Sequence, residues 1–223
     1  VLDLGCAGGY VGAALRARGC HVTGVDVFPL APGVQLDEFY RRNLDSDPLP
    51  VDASTYDFVL LLDVIEHLRA PETFVDQLRT ICGQSPDTRI IASTGNVGFA
   101  ATRLMLLSGH FNFGPRGILD MTHTRLFTFR SFARLFEQAG FIIDEVQGVP
   151  APFKLAVGDG WLARGLAALQ GGLIRVSKGV FAYQMFMVVR PKPTLQLLLR
   201  RAEMESQVRS AIRGGAQPAA LRG

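Results

Sequence analysis

The first 27 residues, VLDLGCAGGYVGAALRARGCHVTGVDV, restrict the fold more than any other stretch of this chain. A short apolar run, VLDL, meets Gly5, Gly8 and Gly9 within one turn. The segment YVGAALRARG follows with helical spacing and stops at Gly19. A second apolar run, HVTGVDV, then ends near Asp26. Strand, glycine turn, helix and strand in that order form a βαβ unit, whose two strands lie parallel in one sheet.

The same alternation continues down the chain. FYRRNLD reads as a weaker third strand and YDFVLLLDV as a strong fourth. PETFVDQLRTIC is a helix with Pro at its start, and TRIIAST is a fifth strand. RSFARLFEQAG is an amphipathic helix with a glycine stop, and FIIDEVQGV and FAYQMFMVVRP are two further strands. The expected fold is α/β: a doubly wound, Rossmann-like, mostly parallel seven-stranded sheet with the last strand antiparallel. That last strand follows an inserted stretch, so its direction is not set by a crossover helix.

Two segments interrupt the alternation. NVGFAATRLMLLSGHFNFGPRGILDMTHTRLFT leaves the carboxyl end of the fifth strand, where loops of such sheets build ligand sites. PAPFKLAVGDGWLARGLAALQGGLIRVSKG precedes the last strand. Both are apolar, glycine-rich and carry Arg or Lys.

At 223 residues, with 48% hydrophobic and 19% charged residues, the chain can bury a full core. Its net charge of +3 is too small to argue for nucleic acid. Seven Arg or Lys against two Asp or Glu fall between Arg190 and Gly223, so a basic tail follows a slightly acidic body. The expected division is a body over residues 1–191 and a basic helical tail over 192–223 with a disordered end, GGAQPAALRG. Cys6, Cys20 and Cys82 are odd in number and lack metal-like spacing, which suggests buried thiols in a reducing, cytoplasmic compartment. The longest charge-free apolar stretch, GVFAYQMFMVV, is too short to cross a bilayer. No signal peptide is visible, and the chain opens inside a strand without Met, so the expected start lies upstream of Val1.

A glycine turn brings backbone close to a ligand, and an acid ending the next strand can take two ribose hydroxyls. Gly5, Gly9 and Asp26 satisfy both demands, although a tight turn without a ligand has the same spelling. A nicotinamide-binding turn reads G-x-G-x-x-G. Here the turn is DLGCAGG, with Asp3 inside the strand and Ala7 where a middle glycine would stand. An acid there is a poor neighbour for a pyrophosphate and a good one for a sulfonium or an amino group.

On these residues the chain resembles the class I S-adenosylmethionine-dependent methyltransferases. In that family D-x-G-x-G-x-G holds the methionine part of the cofactor, and the acid ending the second strand holds the ribose. Asp3, Gly5, Gly9 and Asp26 match, and Ala7 departs from glycine. The resemblance implies further cofactor contacts at Asp45, in NLDSDPLP near the adenine, and at Asp63, beyond the fourth strand. It extends through HTRLFTFRSFARLFEQAGF, similar to the family's closing helix, to about Pro191. It also implies N-terminal helices that this sequence does not contain.

Methyl transfer needs an aligned nucleophile and a destination for its proton, not a catalytic triad. In DVIEHL, a helical turn would put Asp63, Glu66 and His67 at i, i+3 and i+4 on one face. Their side chains suit Mg, Mn or Zn. With His123 in MTHTRLFT, the set is similar to that of small-RNA 2′-O-methyltransferases and ubiquinone-pathway O-methyltransferases. There an acid, a Glu-His pair and a later His bind a divalent ion that grips the acceptor oxygen. Asp63 is shorter than the Glu usual in that pattern. The competing reading has no metal: Glu66 caps or pairs, and His67 or His123 is a general base.

GHFNFGPRGILDMTHTRLFT resembles methyltransferase domains of bacterial surface-polysaccharide pathways, which implies a small-molecule, sugar, glycan or lipid-linked acceptor. Phe111, Phe113 and Leu119 are expected to pack on the sheet as a lid. Arg103, Arg116 and Arg125 would meet an acidic acceptor or remain surface charges. The tail TLQLLLRRAEMESQVRSAIRG can form a helix with Leu198, Ala202, Met204 and Val208 partly on one side, able to lie on anionic lipid. A solvated helix docked on the body or a partner fits it as well. Two rival functions remain: a nicotinamide-dependent oxidoreductase, and a non-catalytic cofactor-binding subunit.

Overall fold

A computed structural model of the chain describes residues 1–83, 85 and 87–214. Seven strands form one sheet in the order β3-β2-β1-β4-β5-β7-β6. They are β1 (Leu2–Leu4), β2 (Thr23–Asp26), β3 (Glu38–Arg41), β4 (Phe58–Leu62), β5 (Arg89–Gly95), β6 (Phe141–Val149) and β7 (Gln184–Pro191). β1 pairs in parallel with β2 and β4, β2 with β3, and β4 with β5. β7 runs antiparallel between β5 and β6. The strand order reverses between β1 and β4, the point at which open α/β sheets bind ligands.

The helices are α1 (Tyr10–Arg16), α2 (Pro71–Cys82), α3 (Ala100–Leu107), α4 (Phe129–Gln138), α5 (Phe153–Val157), α6 (Trp161–Val176), α7 (Lys178–Phe181) and α8 (Leu195–Gly214). The third strand starts earlier than its apolar spelling suggests, and Asn43 to Asp47 form a turn instead, closed by Asn43 and Asp47 side chains.

The inner strands read as near-continuous apolar runs because both faces are covered. Leu2, Leu4, Val59, Leu61 and Ile90 are fully buried, joined by Met185, Met187 and Val189 on alternate positions of β7. Against them pack Phe74 and Leu78 of α2 and Phe132 and Phe136 of α4. Phe127, Phe132, Phe136 and Phe141 form a chain of ring contacts 5.4–5.8 Å apart. α4 begins with a reciprocal cap: Thr128 Oγ1 accepts from Ser131 N, and Ser131 Oγ from Thr128 N. A cap of this kind contributes about 1 kcal/mol.

Both inserted segments contain helices. The first, after β5, forms α3; the second, between β6 and β7, forms α5, α6 and α7. Buried Asn96 ties their roots together. Its side-chain amide donates to Gly179 O and Ala182 O, and its Oδ1 accepts from Gly98 N. Gln170 docks α6 in a similar way, accepting from Ala151 N and donating to Phe181 O.

The expected basic tail contains α8, with Leu195, Leu198, Leu199, Met204 and Val208 exposed. At 100° per residue these side chains are spread around the helix, not gathered on one side. Of the expected disordered end, 214–223, Gly214 ends α8 and 215–223 lie outside the described residues. Cys6 and Cys82 are buried and Cys20 is half-buried; all three are free thiols. Among the described residues no helix is long and apolar enough to cross a membrane.

Candidate functional site

The opening turn is built by left-handed backbone. Gly5 has φ 75°, Ala7 φ 46° and Gly9 φ 77°. At Gly5 the missing side chain leaves room for Val64: a Cβ would come within 2.4 Å of Val64 Cγ2. At Gly9 it would come within 2.6 Å of Leu30. The glycines therefore serve close protein packing at the switch point. Ala7 adopts a conformation that L-residues avoid by roughly 1–2 kcal/mol. Its own N–H compensates by donating to Asp26 Oδ2 at 2.7 Å.

Asp26 is buried and also accepts from Phe28 N at 2.8 Å through Oδ1. The carboxylate thus pins the glycine turn to the end of β2 and keeps spare lone pairs. Asp3, below the turn, is 3% exposed, and its Oδ2 has no hydrogen-bond partner. Burial, and then the charge of Asp26, push its carboxyl up to about 6. A buried carboxylate whose charge is penalised by desolvation gains from a cation placed beside it. Asp45 is not gathered with these residues. Its Oδ1 accepts from Arg69 N at 2.9 Å, and it lines a depression with Gln77, Thr80 and Ile81 of α2.

A second group stands at the carboxyl ends of β4 and β5. Beyond β4 the chain makes a 3-10 turn over Ile65–His67. Asp63 precedes that turn at φ 56°, so the helical i, i+3, i+4 relation does not include it. Its carboxylate accepts instead from Ser93 Oγ at 2.9 Å and from Gln184 Nε2. The four-ligand set expected from the sequence is therefore reduced to three.

Glu66, His67 and His123 each bring one ligand atom to within 4.8 Å of the others. A backbone clip brings His123 there: Thr124 N and Arg125 N both donate to Glu66 O, and Thr124 Oγ1 donates to Leu68 O at 2.6 Å. Glu66 is 2% exposed, its Oε2 has no partner, and burial pushes its carboxyl up to about 7. His123 Nδ1 lies 3.0 Å from Ile118 O, and His67 Nδ1 lies 3.2 Å from Thr122 Oγ1. Anchoring each ring through Nδ1 leaves Nε2 as the available nitrogen. The rings meet edge to face at 4.8 Å. Burial first, then His67, hold His123 below the ordinary imidazole range, which favours the neutral ring.

These three line a cavity of about 570 Å³ with Arg116, Asp120, Tyr183 and Gln184. One carboxylate and two imidazoles suit a divalent ion with open positions for an oxygen ligand. Ligands around such an ion stand about 3–3.4 Å apart, so the group would close slightly around it. Of the three arginines, Arg116 lines the cavity, Arg103 donates to Gly98 O, and Arg125 pairs with Glu72. Leu119 is buried as expected of a lid, but Phe111 and Phe113 are exposed and pack mainly on each other at 5.3 Å.

Thr122 and Asp120 are not evident as site residues from the sequence. Asp120 accepts from Thr122 N and Oγ1, fixing the hydroxyl that meets His67. The spelling D-x-T before His123 is an Asx-turn signal that points to them. Tyr183 and Gln184 reach the cavity from the start of β7 and carry no local signal.

A family model described as a methyltransferase domain matches residues 1–146. The ubiquinone biosynthesis O-methyltransferase of Aeromonas salmonicida is 27% identical over 161 residues, covering 67% of this chain and 65% of that protein. The protein of the same name from Xylella fastidiosa is 29% identical over 167 residues, covering 67% and 63%. The chain thus spans somewhat less than two thirds of these curated relatives. Among solved structures, the 1,6-didemethyltoxoflavin-N1-methyltransferase of Burkholderia thailandensis, with bound S-adenosylhomocysteine, superposes with a TM-score of 0.53 at 18% identity. It covers 86% of this chain and 70% of that one, a likeness of fold.

Proposed function

This chain belongs to the methyltransferase-domain family, and from that premise we propose that it methylates an oxygen of a small molecule, sugar or lipid-linked glycan with S-adenosylmethionine as donor. The observation that carries the oxygen-acceptor reading is the unpartnered, buried Glu66 Oε2 beside His67 and His123 in an open cavity. That its matched relatives are named O-methyltransferases agrees with it.

On the donor side, S-adenosylmethionine supplies a methyl group activated by positive sulfur. Asp26 would hold the ribose hydroxyls with the lone pairs that Ala7 and Phe28 leave free. Asp3 would face the cationic methionine end, where its unpartnered oxygen gains a counter-charge. Gly5, Ala7 and Gly9 shape the turn above. Asp45 and Asp63, both engaged elsewhere, contribute least to this reading.

On the acceptor side, Glu66, His67 and His123 fit a divalent ion such as Mg, Mn or Zn, which would polarise a hydroxyl bound to it. The same residues support a metal-free variant, in which neutral His123 or His67 takes the acceptor proton at Nε2. Arg116, Tyr183 and Gln184 would orient the acceptor. The three unpaired cysteines favour a reducing, cytoplasmic setting.

Isothermal titration tests the donor assignment. S-adenosylmethionine should bind and NADH should not; the reverse would assign the turn to a nicotinamide. Asp26→Ala should weaken S-adenosylmethionine binding by roughly tenfold to a hundredfold, the loss of hydrogen bonds to a charged group. A chelator should abolish turnover of hydroxylated acceptors and leave donor affinity unchanged. Turnover that survives chelation but falls in His123→Ala would move the role to imidazole.

A further inference from the structure

α6 is apolar on two sides. Ala163, Gln170 and Ile174 turn inward. Trp161, Leu162, Leu169, Leu173 and Val176 turn outward, with Trp161 80% and Val176 81% exposed. At 100° per residue these five fall within one arc of about 120°. α6 carries no acidic residue. Its two charged side chains, Arg164 and Arg175, are exposed along one border of that arc. α5, packed against α6, exposes Leu155, at 86%, and Val157 as well. Asp159 is the sole acid between residues 150 and 179, and Lys154 pairs with it at 3.2 Å.

We propose that the outer face of α6, with α5 packed beside it, docks on an anionic lipid surface. A contiguous apolar helix face in water marks an interaction site. The charge around it has one sign and complements acidic headgroups. Apart from the two arginines, the outer arc offers no side chain that hydrogen-bonds. Protein interfaces carry about one hydrogen bond per 100–200 Å² to fix their register, whereas a bilayer interface requires none. Trp161 at the start of the helix has the ring type that settles at such an interface. α8, the basic tail, lacks such a face: its apolar side chains surround it, and Glu203 and Glu205 are exposed among them.

The docking face stands apart from the methyl-transfer reading, and its test needs neither donor nor acceptor. The full chain is floated with phosphatidylcholine vesicles with and without phosphatidylglycerol. Binding is expected only with phosphatidylglycerol, and it should fall as salt rises. The exposed double variants Leu162→Ser/Leu169→Ser and Arg164→Gln/Arg175→Gln should each reduce partitioning on the order of tenfold or more. Both should keep the wild-type melting temperature, and Arg200→Gln/Arg209→Gln should bind as wild type does. Absence of wild-type binding, or binding that both α6 variants retain, overturns the proposal. A concentration-dependent dimer in light scattering that Leu162→Ser/Leu169→Ser abolishes would give the face to a second copy and overturn it as well.

Discussion

Two buried carboxylates, Asp3 and Glu66, each leave one oxygen without a partner, yet they are placed by opposite means. Asp3 sits in the opening βαβ unit, paired with Gly24 of β2 on one side and Leu60 of β4 on the other, with Gly12 of α1 beside its carboxylate. Glu66 depends on a segment 55 or more residues further on, held by backbone hydrogen bonds from Thr124 and Arg125. The first site is as rigid as the sheet that carries it. The second is rigid only while the clip holds. The contrast teaches that one buried carboxylate can be placed largely by the geometry of neighbouring strands, while the other is assembled from segments far apart in sequence.

If the two sites have separate duties, Glu66→Gln should lower kcat/KM at least about a hundredfold and leave S-adenosylmethionine affinity unchanged. A parallel loss of affinity in titration would merge the two sites and break the comparison. At the local site, Gly5→Val forces a branched side chain into positive φ and against Val64. A loss of about 4 kcal/mol is expected from strain and overpacking combined, read as a melting temperature lower by roughly 10 °C.

The charge state of Asp3 sharpens the contrast through pH. Its folded value of about 6 lies above the ordinary 3.8, so the folded chain keeps a proton that the unfolded chain has released. Stability from this group is full below pH 3.8 and is lost as pH rises to about 6. Relative to wild type, Asp3→Asn should therefore gain stability across that window, by no more than about 3 kcal/mol. Urea denaturation at both ends of the window checks the sign; a constant difference would refute it. The smallest effect is expected at Ala7→Gly. Relief of left-handed strain there is offset by the greater freedom of glycine in the unfolded chain. The net change should stay within about 1 kcal/mol in the same denaturation assay.

Much of this was legible in the sequence, for physical reasons. Apolar runs and glycine stops mark strands and helices because burial and backbone freedom act locally. All seven strands follow from such signals, whereas the antiparallel direction of the last belongs to the fold class and not to any local signal. The role of Asp63 was not legible. Its spacing to Glu66 implies a helical turn, but whether the chain enters that turn at residue 63 or after it depends on Ser93 and Gln184, which are distant in sequence. Asp45 is likewise placed by a contact distant in sequence: the turn after β3 presents its carboxylate to Arg69 N. Phe111 and Phe113 have the composition of a lid core, but they satisfy each other in solvent.

The Asn96 knot has a consequence for how such a protein can change. One buried amide fixes where the first inserted segment leaves the sheet and where the second returns, and Tyr183 N, donating to Val149 O, closes the point where the second leaves. What lies between those posts can lengthen, shorten or be exchanged without shifting the register of β5 on β7. The two segments behave as cassettes on a common frame, and grafting α5 and α6 from a relative should transplant a surface while the opening turn goes on working as before.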